Sequence, residues 1–256
     1  MKKNILNATL LVLILISSLT INKFRKEINA AKNYLVEKET YRRHKVTNPL
    51  TDKIPRQNDE LVFGLDVSHH QRHINWDKVA QSPPHFIIFK ATEGSTHVDT
   101  KYEEHIVEAR KIAITVGAYH FFSYQSSGEK QAQHFLKHIK FQNGDLIPVL
   151  DVEFKNKMNS DAWIKENIQS FIRTIETETG VKPIIYCEIA YYNRFLKPFY
   201  GDDLKLWLSD FSRKPKNEFV IWQNTDKYKQ AGIKGTVDYN LFNGSKKEFN
   251  TLLYSN

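Results

Sequence analysis

Asp151 and Glu153 end an apolar run in this sequence, in Leu150-Asp151-Val152-Glu153 after Ile147-Pro148-Val149. On a strand, side chains two apart share a face, so both carboxylates can enter one site. Neighbouring carboxylates in a partly dry site cannot both ionise easily, and one proton is then held to higher pH, which suits a general acid. Asp66, Glu93, Asp210 and Asp238 stand at the ends of other apolar runs, together with Lys90, Tyr119, His120, Tyr186, Trp207, Trp222 and Gln223. Aromatic faces can stack on sugar rings while carboxylates move protons, so the set points to carbohydrate chemistry.

Each residue also has a plainer role. An isolated D-x-E is short and common, and strand-end acids often cap loops. Lys90 and Glu93 are close enough to form an ion pair, and His120 would be a hydrogen-bonded core or rim histidine in most proteins. His69, His70 and His73 fall on an expected turn, where hydrogen bonding within the loop is the expected role. His134 and His138, four apart on an expected helix, read as a solvated face. A metal site needs three or four converging ligands, and none is expected; no cofactor is expected either. Cys187 is the sole cysteine and sits in an apolar run, which reads as a buried, inert thiol.

The elements that must position these groups follow from hydrophobic periodicity. From residue 61 onward, apolar β-rich runs recur at 61–67, 86–91, 114–121, 146–152, 183–187, 204–208, 219–223 and 237–242. Helical patterns fill the first five intervals at 75–81, 101–113, 129–140, 161–179 and 190–196, with Ser160 as N-cap and Gly180 as stop for the fourth. The later gaps carry Pro215, Gly232 and Gly235 and no helical period. Five β-α units followed by three strands predict a closed, mainly parallel α/β barrel resembling a TIM barrel. No Gly-rich phosphate turn follows any strand, which argues against an open dinucleotide-binding sheet.

The 256 residues carry a formal charge of +8, with 41% apolar content, enough for one domain of about 200 residues and an appendage. Residues 1–60 hold 12 Lys/Arg against 6 Asp/Glu, and the rest hold 25 against 23. The main body is nearly neutral, so no basic stripe for nucleic acid is expected. Residues 4–22 are uncharged between lysines and read as a signal anchor or signal peptide within 1–22. The flanking charges give no clean orientation. No good small-x-small cleavage site follows, which favours a retained membrane anchor with the barrel outside the cytoplasm; cleavage would instead give a secreted form. Residues 23–60 read as a charged stalk or linker with a short amphipathic helix, and 61–256 as the barrel, expected to be monomeric.

Taken in order, the motifs resemble glycoside hydrolase family 25, the lysozymes that cleave peptidoglycan as N-acetylmuramidases. They are Gly64-Leu65-Asp66-Val67-Ser68-His69-His70-Gln71, Phe89-Lys90-Ala91-Thr92-Glu93-Gly94 and Gly117-Ala118-Tyr119-His120-Phe121. Pro148-Val149-Leu150-Asp151-Val152-Glu153, Lys182-Pro183-Ile184-Ile185-Tyr186, Ile221-Trp222-Gln223 and Gly235-Thr236-Val237-Asp238-Tyr239-Asn240 follow. The resemblance spans about residues 61–253 and implies a barrel of five β-α units and three strands. It also implies Glu153 as proton donor, Asp151 as its partner, and Asp66 and Asp238 as the other active-site acids. Trp207-Leu208-Ser209-Asp210-Phe211 departs from the family, whose members often carry alanine and tyrosine there, and this bears on fine substrate contacts. A chitinase-like hydrolase, or a non-catalytic glycan-binding protein tethered to the membrane, remain the alternative readings.

Overall fold

Alternating apolar strands and amphipathic helices close here into a barrel. The computed structural model describes residues 61–139, 141–153, 159–201 and 203–255. The expected anchor and stalk, residues 1–60, lie outside the described residues. Among the described residues no helix is long and apolar enough to cross a membrane.

The strands are β1 (Phe63–Val67), β2 (Phe86–Glu93), β3 (His97–Val98), β4 (Thr115–Phe121), β5 (Val149–Asp151), β6 (Ile184–Glu188), β7 (Leu206–Ser209), β8 (Ile221–Tyr228) and β9 (Val237–Phe242). Their order is β1-β9-β8-β7-β6-β5-β4-β2-β3, and β1 also pairs with β2, which closes the ring. All eight expected strands are present. Two features were not legible in the pattern: β3, a two-residue strand folded back on β2, and the direction of β9, which runs antiparallel to both β8 and β1.

Helices α1 (Trp76–Val79), α2 (Tyr102–Lys111), α3 (Gly128–His138) and α4 (Asp161–Thr179) occupy the first four intervals. A continuous helical run, Ile189–Tyr191, Tyr192–Leu196 and Lys197–Tyr200, occupies the fifth. The Ser160 hydroxyl accepts from Trp163 N and satisfies one orphan donor of α4. Gly180 ends that helix at φ 74°, a left-handed conformation that costs glycine nothing.

Strand pleating divides the apolar side chains into two cores. Leu65, Val67, Ile87, Phe89, Val116, Leu150, Ile185 and Leu208 point outward and pack with Phe135, Ile168, Phe171 and Ile175 of the helices. Phe86, Ile88, Val149, Ile184, Trp207, Ile221 and Phe242 fill the lumen. Phe249 from the C-terminal segment stacks on Phe86 with ring centroids 5.2 Å apart and helps to plug the N-terminal end of the barrel. Gly64 makes room for this plug, because a Cβ there would lie 2.3 Å from the Phe86 ring. Apolar burial therefore fills the lower lumen, and the upper lumen is left to polar side chains.

Candidate active site

Asp66 lies between Leu65 and Val67 of the outer core, so the pleat turns it into the lumen. Its backbone partner across β1 and β9 is Asp238, and the two carboxyls hydrogen-bond. Gln223 Nε2 donates to Asp66 Oδ2 at 3.0 Å, and Asn240 Nδ2 donates to the same oxygen at 2.8 Å. Burial pushes the Asp66 carboxyl above its ordinary range, and these hydrogen bonds oppose that shift.

Asp151 ends β5 beside Tyr186 of β6, and Val152 continues the pairing by donating its N–H to Tyr186 O at 2.9 Å. Asp151 is 7% exposed, and Glu153 beyond it is half-buried. The two tyrosines report how these acids converge. Burial and then the nearby charges of Asp151, Asp66 and Asp238 push the Tyr119 hydroxyl well above its ordinary pKa. Tyr186 is raised in the same way, with Glu153 first among its charged neighbours, followed by Asp151, Asp66 and Asp238. Asp66, Asp151 and Asp238 thus lie near both tyrosines, and Glu153 lies near Tyr186.

Lys90 continues the lumen face of β2 beyond Ile88. Its ammonium donates to Glu93 Oε2 at 2.6 Å and stands 4.7 Å from the centroid of the Phe121 ring. The expected ion pair is therefore formed. Phe121 itself, the register partner of Asp151, was not among the residues proposed from the sequence. Its spacing of two from Tyr119 was the available signal, as was the spacing between Asp238 and Asn240.

Two expectations are corrected. His120 and Trp222 do not face the lumen, because each adjoins a residue that does, Tyr119 and Gln223, and successive side chains on a strand point to opposite faces. His120 is fully buried between the barrel and the helices, with its ring centroid 5.1 Å from that of Phe171. Gln131 Oε1 accepts from Ser123 N at 2.8 Å and faces His120 Nε2 at 3.1 Å, so that nitrogen carries the proton. His120 Nδ1 then accepts from the Thr92 hydroxyl at 2.7 Å, and burial drives the imidazole pKa down to about 3. Trp222 belongs to the outer core and donates its indole N–H to Asp210 O at 2.8 Å.

Trp207 does face the lumen but is only 2% exposed, packed edge-on to Tyr186 with ring centroids 4.8 Å apart. It forms a floor beneath the acids and offers no open stacking face. Asp210 closes a local turn by accepting from Ser212 N and Oγ and from Arg213 N. Cys187 is buried, as expected. No cluster of three or more metal-ligating side chains occurs among the described residues. His69 instead pairs through Nδ1 with Asp99 Oδ2 at 2.6 Å, and His134 and His138 bond to backbone carbonyls.

A closed β/α barrel, plugged at one end and lined with carboxylates at the other, has the architecture of a barrel glycoside hydrolase. Residues 65–233 match the family described as Glycosyl hydrolases family 25, and the chain belongs to that family. It is 33% identical over 196 residues to the uncharacterized protein YegX of Escherichia coli K12, covering 73% of this chain and 71% of that one. It is 29% identical over 201 residues to Lysozyme M1 of Streptomyces globisporus, covering 72% and 68%. A family 25 glycosyl hydrolase from Bacillus anthracis superposes with a TM-score of 0.71 at 30% identity, covering 77% of this chain and 95% of that one.

Proposed function

We propose that this protein is a muramidase that hydrolyses the β-1,4 bond between N-acetylmuramic acid and N-acetylglucosamine in peptidoglycan. The observation that carries the reading is the grouping of Asp66, Asp151 and Asp238 near both Tyr119 and Tyr186, with Glu153 near Tyr186, inside a family 25 barrel. The similarity to a protein named as a lysozyme supports peptidoglycan over chitin.

Glu153 is assigned as the general acid, delivering a proton to the leaving sugar oxygen as the glycosidic bond breaks. Asp151 orients the substrate's 2-acetamido group, whose carbonyl oxygen attacks the anomeric carbon. Water then attacks that carbon while Glu153 takes back a proton, and the configuration is retained without an enzyme nucleophile. Asp66 and Asp238 supply negative charge near the developing oxocarbenium ion. Lys90 and Glu93 line one side of the cleft as an ion pair.

Release of dye from labelled peptidoglycan, with labelled chitin as the control, tests the reaction. Hydrolysis of peptidoglycan alone is expected; hydrolysis of chitin alone would replace this reading, and turnover of neither would leave a binding protein. NMR of the product anomers immediately after cleavage separates retention from inversion.

The substrate lies outside the cytoplasm, and the uncharged segment 4–22 supports a retained anchor that holds the barrel there. Cell fractionation with sequencing of the mature N-terminus tests this. A soluble form beginning near Ile21 would remove the anchor and leave the enzyme assignment standing.

A further inference from the structure

We infer that Tyr186 and Trp207 are positioning residues for Asp66, acting by dictating which way the Gln223 and Asn240 side-chain amides face. The inference rests on the muramidase reading for its catalytic meaning, though not for its geometry.

An amide side chain presents an acceptor oxygen and a donor nitrogen, and turning it over exchanges them. An indole N–H can only donate. Trp207 Nε1 donates to Asn240 Oδ1 at 2.9 Å, which leaves the Asn240 NH₂ to face Asp66, 2.8 Å from Oδ2. On the other side, the Tyr186 hydroxyl donates to Gln223 Oε1 at 2.9 Å, and Gln223 Nε2 donates to the same Asp66 oxygen. Two independent arms, Trp207–Asn240 and Tyr186–Gln223, therefore end on one carboxylate oxygen.

The arms are sheltered from water. Asn240 is 0% exposed, Trp207 2%, Gln223 4% and Tyr186 8%. A flipped amide would point its oxygen at Asp66 and strand the buried donor behind it, and leaving a buried donor unsatisfied is unfavourable. Burial holds the Tyr186 hydroxyl protonated across the working pH range, so it stays a donor. The Tyr186 and Trp207 rings meet edge-on, and each donates to a different amide.

Asp66 meets other charged and titratable groups from the surrounding strands. Asp238 hydrogen-bonds it from β9, while Asp151, Tyr119 and Tyr186 share the same space from β5, β4 and β6. Lys90, two residues beyond the β2 register partner Ile88, is neutralised by Glu93. Among these, the two amides are the neutral donors that favour an ionised Asp66.

The orientation can be read without turnover. In the full-length wild-type protein, ¹⁵N NMR should show the Gln223 and Asn240 side-chain amide protons exchanging slowly with solvent. Tyr186→Phe should speed exchange at Gln223 and spare Asn240, and Trp207→Phe should do the reverse. Unchanged exchange at Gln223 in Tyr186→Phe would overturn the inference, whether or not the wild type cleaves peptidoglycan.

Kinetics then separate positioning from substrate contact. Each Phe variant should lower kcat about 3–30-fold with KM within about twofold. Tyr186→Phe should add nothing in a Gln223→Met background, because both cut the same arm, whereas Tyr186→Phe with Trp207→Phe should multiply. A raised KM, or a Tyr186→Phe effect that persists in Gln223→Met, would assign Tyr186 to the substrate directly and overturn positioning. An inactive wild type with the expected exchange pattern would remove the muramidase reading alone.

Discussion

Asp66 and Asp238 are register partners across the antiparallel junction of β1 and β9, and their carboxyls hydrogen-bond. Two carboxyls can do so only by sharing a proton, so they titrate as a pair. β9 is the strand that closes the barrel, and closure is what places an acid near residue 238 beside one at residue 66.

Asp66→Asn is expected to raise stability at neutral pH while abolishing most activity. A carboxyl whose folded pKa is raised contributes stability that is fully present below the unfolded value near 3.8 and is lost as pH rises through the folded value. Asparagine mimics the protonated form: its oxygen accepts from Gln223 and Asn240, and its NH₂ donates to Asp238. Thermal melts should place the variant above wild type at pH 7, with the gap closing towards pH 3. A variant less stable than wild type at pH 7 would refute the argument.

Glu153→Gln keeps the shape of the proposed acid but removes its transferable proton, and kcat should fall by about 10² to 10⁴. Asp151→Asn should impair turnover and move the alkaline limb of the pH–rate profile to lower pH. Without the adjacent negative charge, Glu153 gives up its proton more readily. Full activity in Glu153→Gln would displace it as the acid.

His120 should set part of the acid lability of the fold. Its folded pKa of about 3 lies below the unfolded value of 6.5, so the unfolded chain binds more protons between those limits. Stability should therefore fall as pH drops through that window, by up to about 1.4 kcal/mol per pH unit from this residue. His120→Leu should flatten that slope in urea titrations. It should also cost about 2–3 kcal/mol at pH 7 by leaving Thr92 and Gln131 groups unsatisfied, with kcat within about threefold. A large loss of kcat in protein that remains folded would place His120 back in the site.

Arg72 holds a backbone conformation of φ 51° and ψ −107° that a Cβ disfavours. The strain is fixed by its neighbours: Arg72 N donates to His69 O at 3.0 Å, and the buried His105 Nε2 meets Arg72 O at 2.9 Å. Arg72→Gly should relieve the strain and stabilise the barrel by about 1 kcal/mol, net of the added chain entropy. Chemical denaturation measures it, and an unchanged or lowered midpoint would show that the Arg72 side chain contributes more than its backbone strain costs.

Much of this protein was determined by sequence alone, because the relevant physics is local. Apolar runs of strand length separated by helical periods gave the eight strands of the barrel, and Ser160 and Gly180 marked both ends of α4. A spacing of two suggested a shared face for Asp151 and Glu153, although β5 itself ends at Asp151. That same period also required one residue of each pair, Tyr119 with His120 and Trp222 with Gln223, to turn outward. Which one turns in was decided by tertiary structure, since only the closed sheet defines an inside. The irregularity between Lys90 and Thr92 illustrates the point: β4 pairs Tyr119 with Lys90 and then His120 with Thr92, passing over Ala91. The extra residue brings the Thr92 hydroxyl to the outer face, where it meets the His120 ring. No local pattern encodes that meeting of residues 28 positions apart, nor the antiparallel return of β9 that sets Asp238 and Asn240 against Asp66. Both depend on the register of long-range hydrogen bonds, which exist only once the barrel has closed.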